Sequence, residues 1–154
     1  MTAPIALQPI GYVISPVTDQ TDEDWGAVVS RIELLPPYRA GLAGLGQFSH
    51  VIVVTFLHEA RFDFDRHLQR RPRGLASMPE VGIFAQRAKD RPNSLGVTAV
   101  SITAVSADSV TVLGLDAIHG TPVLDLKPYY PAYDLVPEAS TPEWVDRLMK
   151  GYFH

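Results

Sequence analysis

Four groups of residues in this sequence have types and spacings that could do chemistry. The stretch GIFAQRAKDRPNSLG, residues 82–96, sets Arg87 at the end of an apolar run and Asn93 in a turn where Pro92 fixes φ. One guanidinium fork and one amide on stiff backbone suit a ligand with both a carboxylate and a hydrogen-bonding base. The same loop can equally be a solvated turn whose asparagine bonds its own backbone. GLDAIHGTPVLDLKPYYP, residues 114–131, carries Asp116, Asp125 and Lys127 near a turn at His119-Gly120 and a tyrosine pair, Tyr129 and Tyr130. Asp125 and Lys127 are two apart, so on a strand they share a face and can neutralise each other. Asp116 and Asp125 also form the kind of carboxylate pair that glycoside hydrolysis needs. His50 and His58 bracket an apolar run at an even spacing, so both can face one side, but no third residue stands at metal-ligand spacing. Glu59 follows His58 where the chain leaves that run, a place where a binding group emerges from a core.

The fourth group is electrostatic. Eight of the 13 basic residues but only four of the 17 acids lie between Arg61 and Arg91, so that stretch is +4 and the remainder −8. A basic segment on an acidic body fits an anionic partner docking at one place, or a solvated loop. With no cysteine, the chain has no disulfide, thiol nucleophile, thiolate metal site or iron–sulfur cluster. GLAGLG, residues 41–46, lacks the order of a dinucleotide fingerprint and runs into a strand instead of opening a helix. No G-x-S-x-G and no H-E-x-x-H occurs, so hydrolase and zinc-protease readings have no motif.

The elements that must position these residues are mainly strands. Segments rich in β-branched residues recur at 10–15, 27–35, 50–57, 80–86, 97–105, 109–115 and 122–127, separated by turn residues, which predicts an antiparallel sheet or barrel. HVIVVTFL, 50–57, is apolar almost throughout and is expected to be buried on both faces. Ser106 to Asp108 reads as a tight hairpin connection, residues 61–79 as a long loop, and 38–45 as a short helical turn. Thr141 as cap and Pro142 at the first helical position predict a helix over about 141–152, with Trp144, Val145, Leu148, Met149 and Tyr152 on one face against the barrel. At 154 residues the chain is expected to be one domain. The N-terminal stretch does not read as a signal peptide and no apolar run reaches the ~20 residues of a membrane span, so a cytoplasmic protein away from membranes is expected.

Read in order, IGYVISP, RIELLPPYRAGLAGLGQFSHVIV, VGIFAQRAKDRPNSLGV and GLDAIHGTPVLDLKPYYP resemble the TsaA/TrmO family over residues 9–131. The resemblance implies a small, single-sheeted β-barrel and S-adenosylmethionine (SAM)-dependent N-methyl transfer, typified by N6-methylation of threonylcarbamoyladenosine in the tRNA anticodon loop. It implies a cofactor pocket drawn from His58, Glu59, Arg87, Val97 and the run Leu115, Asp116, Ala117, Ile118, with Trp25-Gly26 as a lid. In such a pocket Arg87 can fork the SAM carboxylate, Glu59 or Asp116 can take a cation, and Trp25 or Phe84 can cover the adenine or face the sulfonium.

Asn93, Asp125 and Lys127 are then the candidates for holding the acceptor amine or removing its proton. Arg66, Arg70, Arg71 and Arg73 become a phosphate tether for tRNA, and Tyr129 with Tyr130 a platform for a splayed base. No metal is implied, and a homodimer is. The sequence departs from the family pattern at Gln86, Ala88-Lys89, Ser94 and His119, and the 23 residues after Pro131 imply a short form without the C-terminal domain. A non-tRNA methyl acceptor, or a SAM-binding module without turnover, are the alternative expectations.

Overall fold

The computed structural model describes residues 2–154. Six strands close into one antiparallel barrel: β1 (Gly11–Ile14), β2 (Val29–Leu34), β3 (His50–Phe56), β6 (Leu95–Val105), β7 (Ser109–Leu113) and β8 (Pro122–Pro128), in the order β1-β2-β7-β6-β3-β8. A separate two-stranded ribbon pairs β4 (Gln69–Arg70) with β5 (Val81–Gly82). The mainly-β barrel expected from the sequence is thus present, because period-2 alternation of branched residues sends one face of each strand inward. Val13, Ile32, Val51, Val53, Val110, Val112 and Val123 fill the interior. Closure removes the edges that an open sheet of this size would leave unpaired.

Closure also corrects the expectation for β3. Val51, Val53 and Thr55 are buried, while Ile52 and Val54 are only partly covered. A closed barrel has a single interior, so an apolar strand in it buries one face and leaves the other on the outer wall. Gly11 shows how tightly β1 is clamped between β2 and β8. A Cβ there would lie 2.3 Å from the Glu33 carbonyl oxygen. Gly11→Ala should therefore force a backbone shift and lower stability by about 1–3 kcal/mol, read as a lower urea midpoint at unchanged slope.

Three other segments differ from expectation. Residues 80–86 are not one strand: β5 covers two residues, and Ile83–Ala85 form a 3₁₀ turn that buries Ile83 and turns Phe84 outward. The segment 61–79 is not a plain loop but holds α1 (Phe64–His67), β4 and a 3₁₀ turn at Pro72–Gly74. Asp63 caps α1 by accepting from the Asp65 and Arg66 amides at 2.8 and 3.3 Å. Buried Gln86 ties the ribbon together, its Nε2 donating to the carbonyls of Arg70 and Val81 at 3.0 and 2.9 Å. The short turn anticipated at 38–45 is a pair of 3₁₀ turns, Pro36–Leu42 and Leu45–Gln47.

Beyond the barrel lie α2 (Pro131–Asp134) and α3 (Glu143–Met149). α3 is shorter than the helix expected over 141–152. Pro142 takes the cap position in extended geometry, so Thr141 lies one residue too far out to cap. Trp144, Val145 and Leu148 are half-buried as the periodicity requires, and Arg147 reaches the Ser77 carbonyl at 3.2 Å. Gly151, at φ +79°, then turns the chain sharply. Gly151 and Tyr152 form a turn, closed by the Tyr152 amide on the Met149 carbonyl at 3.0 Å, and do not continue the helix.

The register sorts the loops between the two ends of the barrel. Residues 15–28, 57–94 and 114–121 open at one rim; residues 35–49, 106–108 and the chain where it leaves β8 open at the other, and the C-terminal segment then returns so that Arg147 and residues 151–153 meet the first rim.

Candidate functional site

All residues expected to hold the cofactor lie on the first rim or on β6 beside it. Arg87 stands just after the 3₁₀ turn at Ile83–Ala85, exposed, and its Nη2 donates to the Val97 carbonyl at 2.6 Å. Four of its five N–H donors remain. The neighbouring charges are occupied within the loop. Arg91 Nη1 braces the Gln86 and Ala88 carbonyls at 2.9 and 3.2 Å. Lys89 pairs with Asp90 at 2.9 Å, and Asp90 accepts from the Arg61 amide at 2.9 Å. Burial works against the Asp90 charge, but the Arg61 amide and Lys89 outweigh it and hold the carboxyl below its usual range. His58 and Glu59 sit in the turn next to this loop, fixed by the Leu57 amide on the Ser94 carbonyl at 2.7 Å. Glu59 is exposed and makes none of the ion pairs found among the described residues.

Asp116 links the rest. Thr98 Oγ1 donates to its Oδ1 at 2.6 Å, and the Tyr152 hydroxyl donates to its Oδ2. Its neighbours Leu115, Ala117 and Ile118 are buried, main chain and side chain alike. Among the described residues, no backbone hydrogen bond engages the N–H groups of Leu115, Asp116, Ala117 or Ile118. Four consecutive unpaired donors in a largely buried run call for an outside partner. Trp25 is itself 3% exposed, its indole N–H donating to the Thr21 carbonyl at 3.0 Å. It is a packed support and does not offer a free ring face. Phe84, at 81% exposure, offers an aromatic face on this rim.

The basic segment divides. Arg66 on α1 is exposed and Arg70 half-buried. Arg71 donates to the Met78 carbonyl, and Arg73 lies 3.8 Å from Asp22 with its guanidinium 5.6 Å from the Tyr152 ring centre. Asn93 is exposed at the same rim. Asp125 and Lys127 are not with it. They pair with each other at 2.9 Å on β8, opposite Val54 and Ile52. That bond raises the Lys127 ammonium pKa. Tyr129 lies beyond them beside His50, at 6.4 Å between ring centres, on the rim opposite the arginines.

Two contributors escaped the sequence reading. Thr98 is one threonine in an alternating strand and carries no signal of its own. Tyr152 matched the apolar face of a helix, yet Gly151 before it signals the turn that brings it to Asp116. Burial and the Asp116 charge push the Tyr152 phenol above the usual tyrosine range. A raised folded value means that its contribution to stability is complete below pH about 10 and is lost as pH rises further. An ultraviolet titration should therefore show one of the six tyrosines ionising last. Tyr152→Phe should remove that step; its persistence in the variant would contradict the placement.

Comparison with known proteins bears on the family. The tRNA-methyltransferase O N-terminal domain family matches residues 20–135. A Pseudomonas aeruginosa protein named as a candidate S-adenosylmethionine-dependent methyltransferase, RcsF, is 43% identical over 115 residues, 73% of this chain and 48% of that protein. The Escherichia coli K12 protein named tRNA (adenine(37)-N6)-methyltransferase is 33% identical over 144 residues, 86% of this chain and 61% of its own. A crystal structure of TrmO from Pseudomonas aeruginosa matches with a TM-score of 0.75 at 30% identity, covering 94% of this chain and 63% of that one. The chain spans about half to three fifths of the length of these relatives.

Proposed function

From the premise that this chain belongs to the tRNA-methyltransferase O family, we propose that it is a SAM-dependent N-methyltransferase acting on N6 of a modified adenosine, threonylcarbamoyladenosine, in tRNA. The observation that carries the reading is the gathering of Arg87, Asp116 and the unpaired amides of Leu115–Ile118 on one rim. The donor set fits SAM: a guanidinium for its carboxylate, carboxylates for its cationic groups, main-chain donors and an aromatic face for its base.

When bound, SAM supplies a methyl group activated by its sulfonium sulfur. Arg87 would use its free N–H groups to fork the carboxylate, and Glu59 would take the ammonium. The amides of residues 115–118 would donate to the base and Phe84 would cover its face. Such contacts would position the cofactor for transfer, an effect worth about 7–11 kcal/mol of barrier in well-oriented systems. Asn93 Oδ1 accepts from the acceptor N–H and orients its nitrogen. Asp125 and Lys127 lie on β8, across β3 from Val97 and Ala99, and from a second copy of the chain would take up the proton that the acceptor nitrogen releases. A homodimer is consistent with the apolar outer wall at Phe56, Leu95, Val97 and Leu113.

Arg66, exposed on α1, and Arg70, whose Nε donates to the Arg71 carbonyl at 3.4 Å, are the tether residues with the most freedom to meet phosphates. Replacing both by alanine should lower the salt slope of tRNA binding by ~0.7 per lost contact. An unchanged slope would contradict the tether. Such a function belongs to the cytoplasm. One observation favours a second acceptor class: Asp19, Asp22, Glu23 and Asp24 crowd the same rim with negative charge, which suits a small or cationic acceptor better than a polyanion.

The test is incubation with isotopically labelled SAM and tRNA from cells lacking the protein, followed by nucleoside mass spectrometry. Label on threonylcarbamoyladenosine is the expected result. Saturable SAM binding with no labelled nucleoside would move the acceptor outside tRNA.

A further inference from the structure

The segment Gly151–Phe153 is built into the rim. Its carbonyls accept from the amides of Asp24, Trp25 and Gly26 at 3.0, 2.8 and 2.6 Å, a three-bond zipper onto the segment that carries Trp25. Gly26 has no room for a side chain, since a Cβ would lie 2.0 Å from the Phe153 carbonyl oxygen. Two non-glycine residues among those described adopt positive φ, Asp24 at 62° and Arg73 at 54°, and both touch this segment. Asp24 donates to Gly151, and the Arg73 guanidinium packs over the Tyr152 ring. Strained backbone on both sides of one strap is held only where surrounding contacts over-determine it.

The strap ends its polar work at Asp116. A carboxylate has about four acceptor sites. Thr98 takes one on Oδ1 and Tyr152 one on Oδ2, which fixes the carboxylate's rotation and leaves the remaining sites for a ligand N–H or O–H. Asp22 and Arg73 are the other charged groups near the phenol.

We propose that Tyr152 is a positioning residue of the cofactor site: its hydroxyl orients Asp116 for SAM, and the strap that carries it locks Asp24–Gly26 in place. This role rests on the reading of the rim as a SAM site. It makes the segment after α3 part of the site.

The test is a double-mutant cycle on the full chain, with SAM affinity measured by calorimetry and amide exchange at Trp25 and Gly26 followed without ligand. Tyr152→Phe keeps the ring and the zipper and removes the hydroxyl. It should weaken SAM binding about tenfold, or about 1.4 kcal/mol, while the two amides stay protected. In an Asp116→Ala background the same change should have no further effect, because the hydroxyl acts through Asp116. An additive effect in that background, or tighter binding by Tyr152→Phe, would overturn the proposal, the second by showing that the strap blocks the ligand. Unprotected Trp25 and Gly26 amides in the unaltered protein would overturn the strap alone. Failure of the unaltered protein to bind SAM, with the amides protected, would instead sink the reading of the site and this role with it.

Discussion

Arg87→Ala should weaken SAM binding by roughly 10- to 100-fold and leave the unfolding midpoint almost unchanged. A hydrogen bond to a charged group contributes about 1.5–3 kcal/mol, and two parallel bonds from one guanidinium to one carboxylate lie toward the upper part of that range. The side chain is exposed, and its one internal bond goes to the Val97 carbonyl, on a stretch of β6 held by its own pairing with β3. Its removal therefore costs the fold little. Arg87→Lys should recover only part of the affinity, because an ammonium cannot present the planar fork. Calorimetric titration of the three proteins checks this, and equal affinities would contradict the assigned contact.

Gly26→Ala should have the opposite profile, a large structural effect. The added methyl meets the Phe153 carbonyl oxygen, so the strap must leave and its three backbone bonds with it. Stability should fall by about 1–3 kcal/mol. Trp25, now buried beneath the strap, should meet water and shift its emission to the red. Tyr152→Phe should leave that emission in place. A Gly26→Ala variant with native emission and native stability would mean that the strap is not packed as described.

These two residues mark what the sequence makes legible. The barrel follows from alternation: β1, β2, β3 and β7 lie within the expected runs of branched residues bounded by turn formers, and β6 and β8 overrun theirs by two residues and one. EVGIFAQ misleads because its apolar residues serve different ends. Ile83 is core, whereas Phe84 faces outward, and no period separates the two uses. The ribbon at 69–82 depends on the Gln86 amide reaching across it, a tertiary contact without a local pattern. At the site, Arg87, Asp116 and Gly26 are recognisable through the motifs around them; their own spacing would not single them out. Tyr152 and Thr98 converge on Asp116 from 36 and 18 residues away. Separations of that kind become visible only when the barrel closes.

The central claim is that this rim is a SAM site, and the most direct measurement is a calorimetric titration of the purified protein with SAM at neutral pH. The account predicts saturable binding at one SAM per chain, weakened by Arg87→Ala and Asp116→Ala but unchanged by Tyr133→Ala, an exposed residue on the opposite side of the barrel. No saturable heat, or equal weakening by all three substitutions, would contradict it.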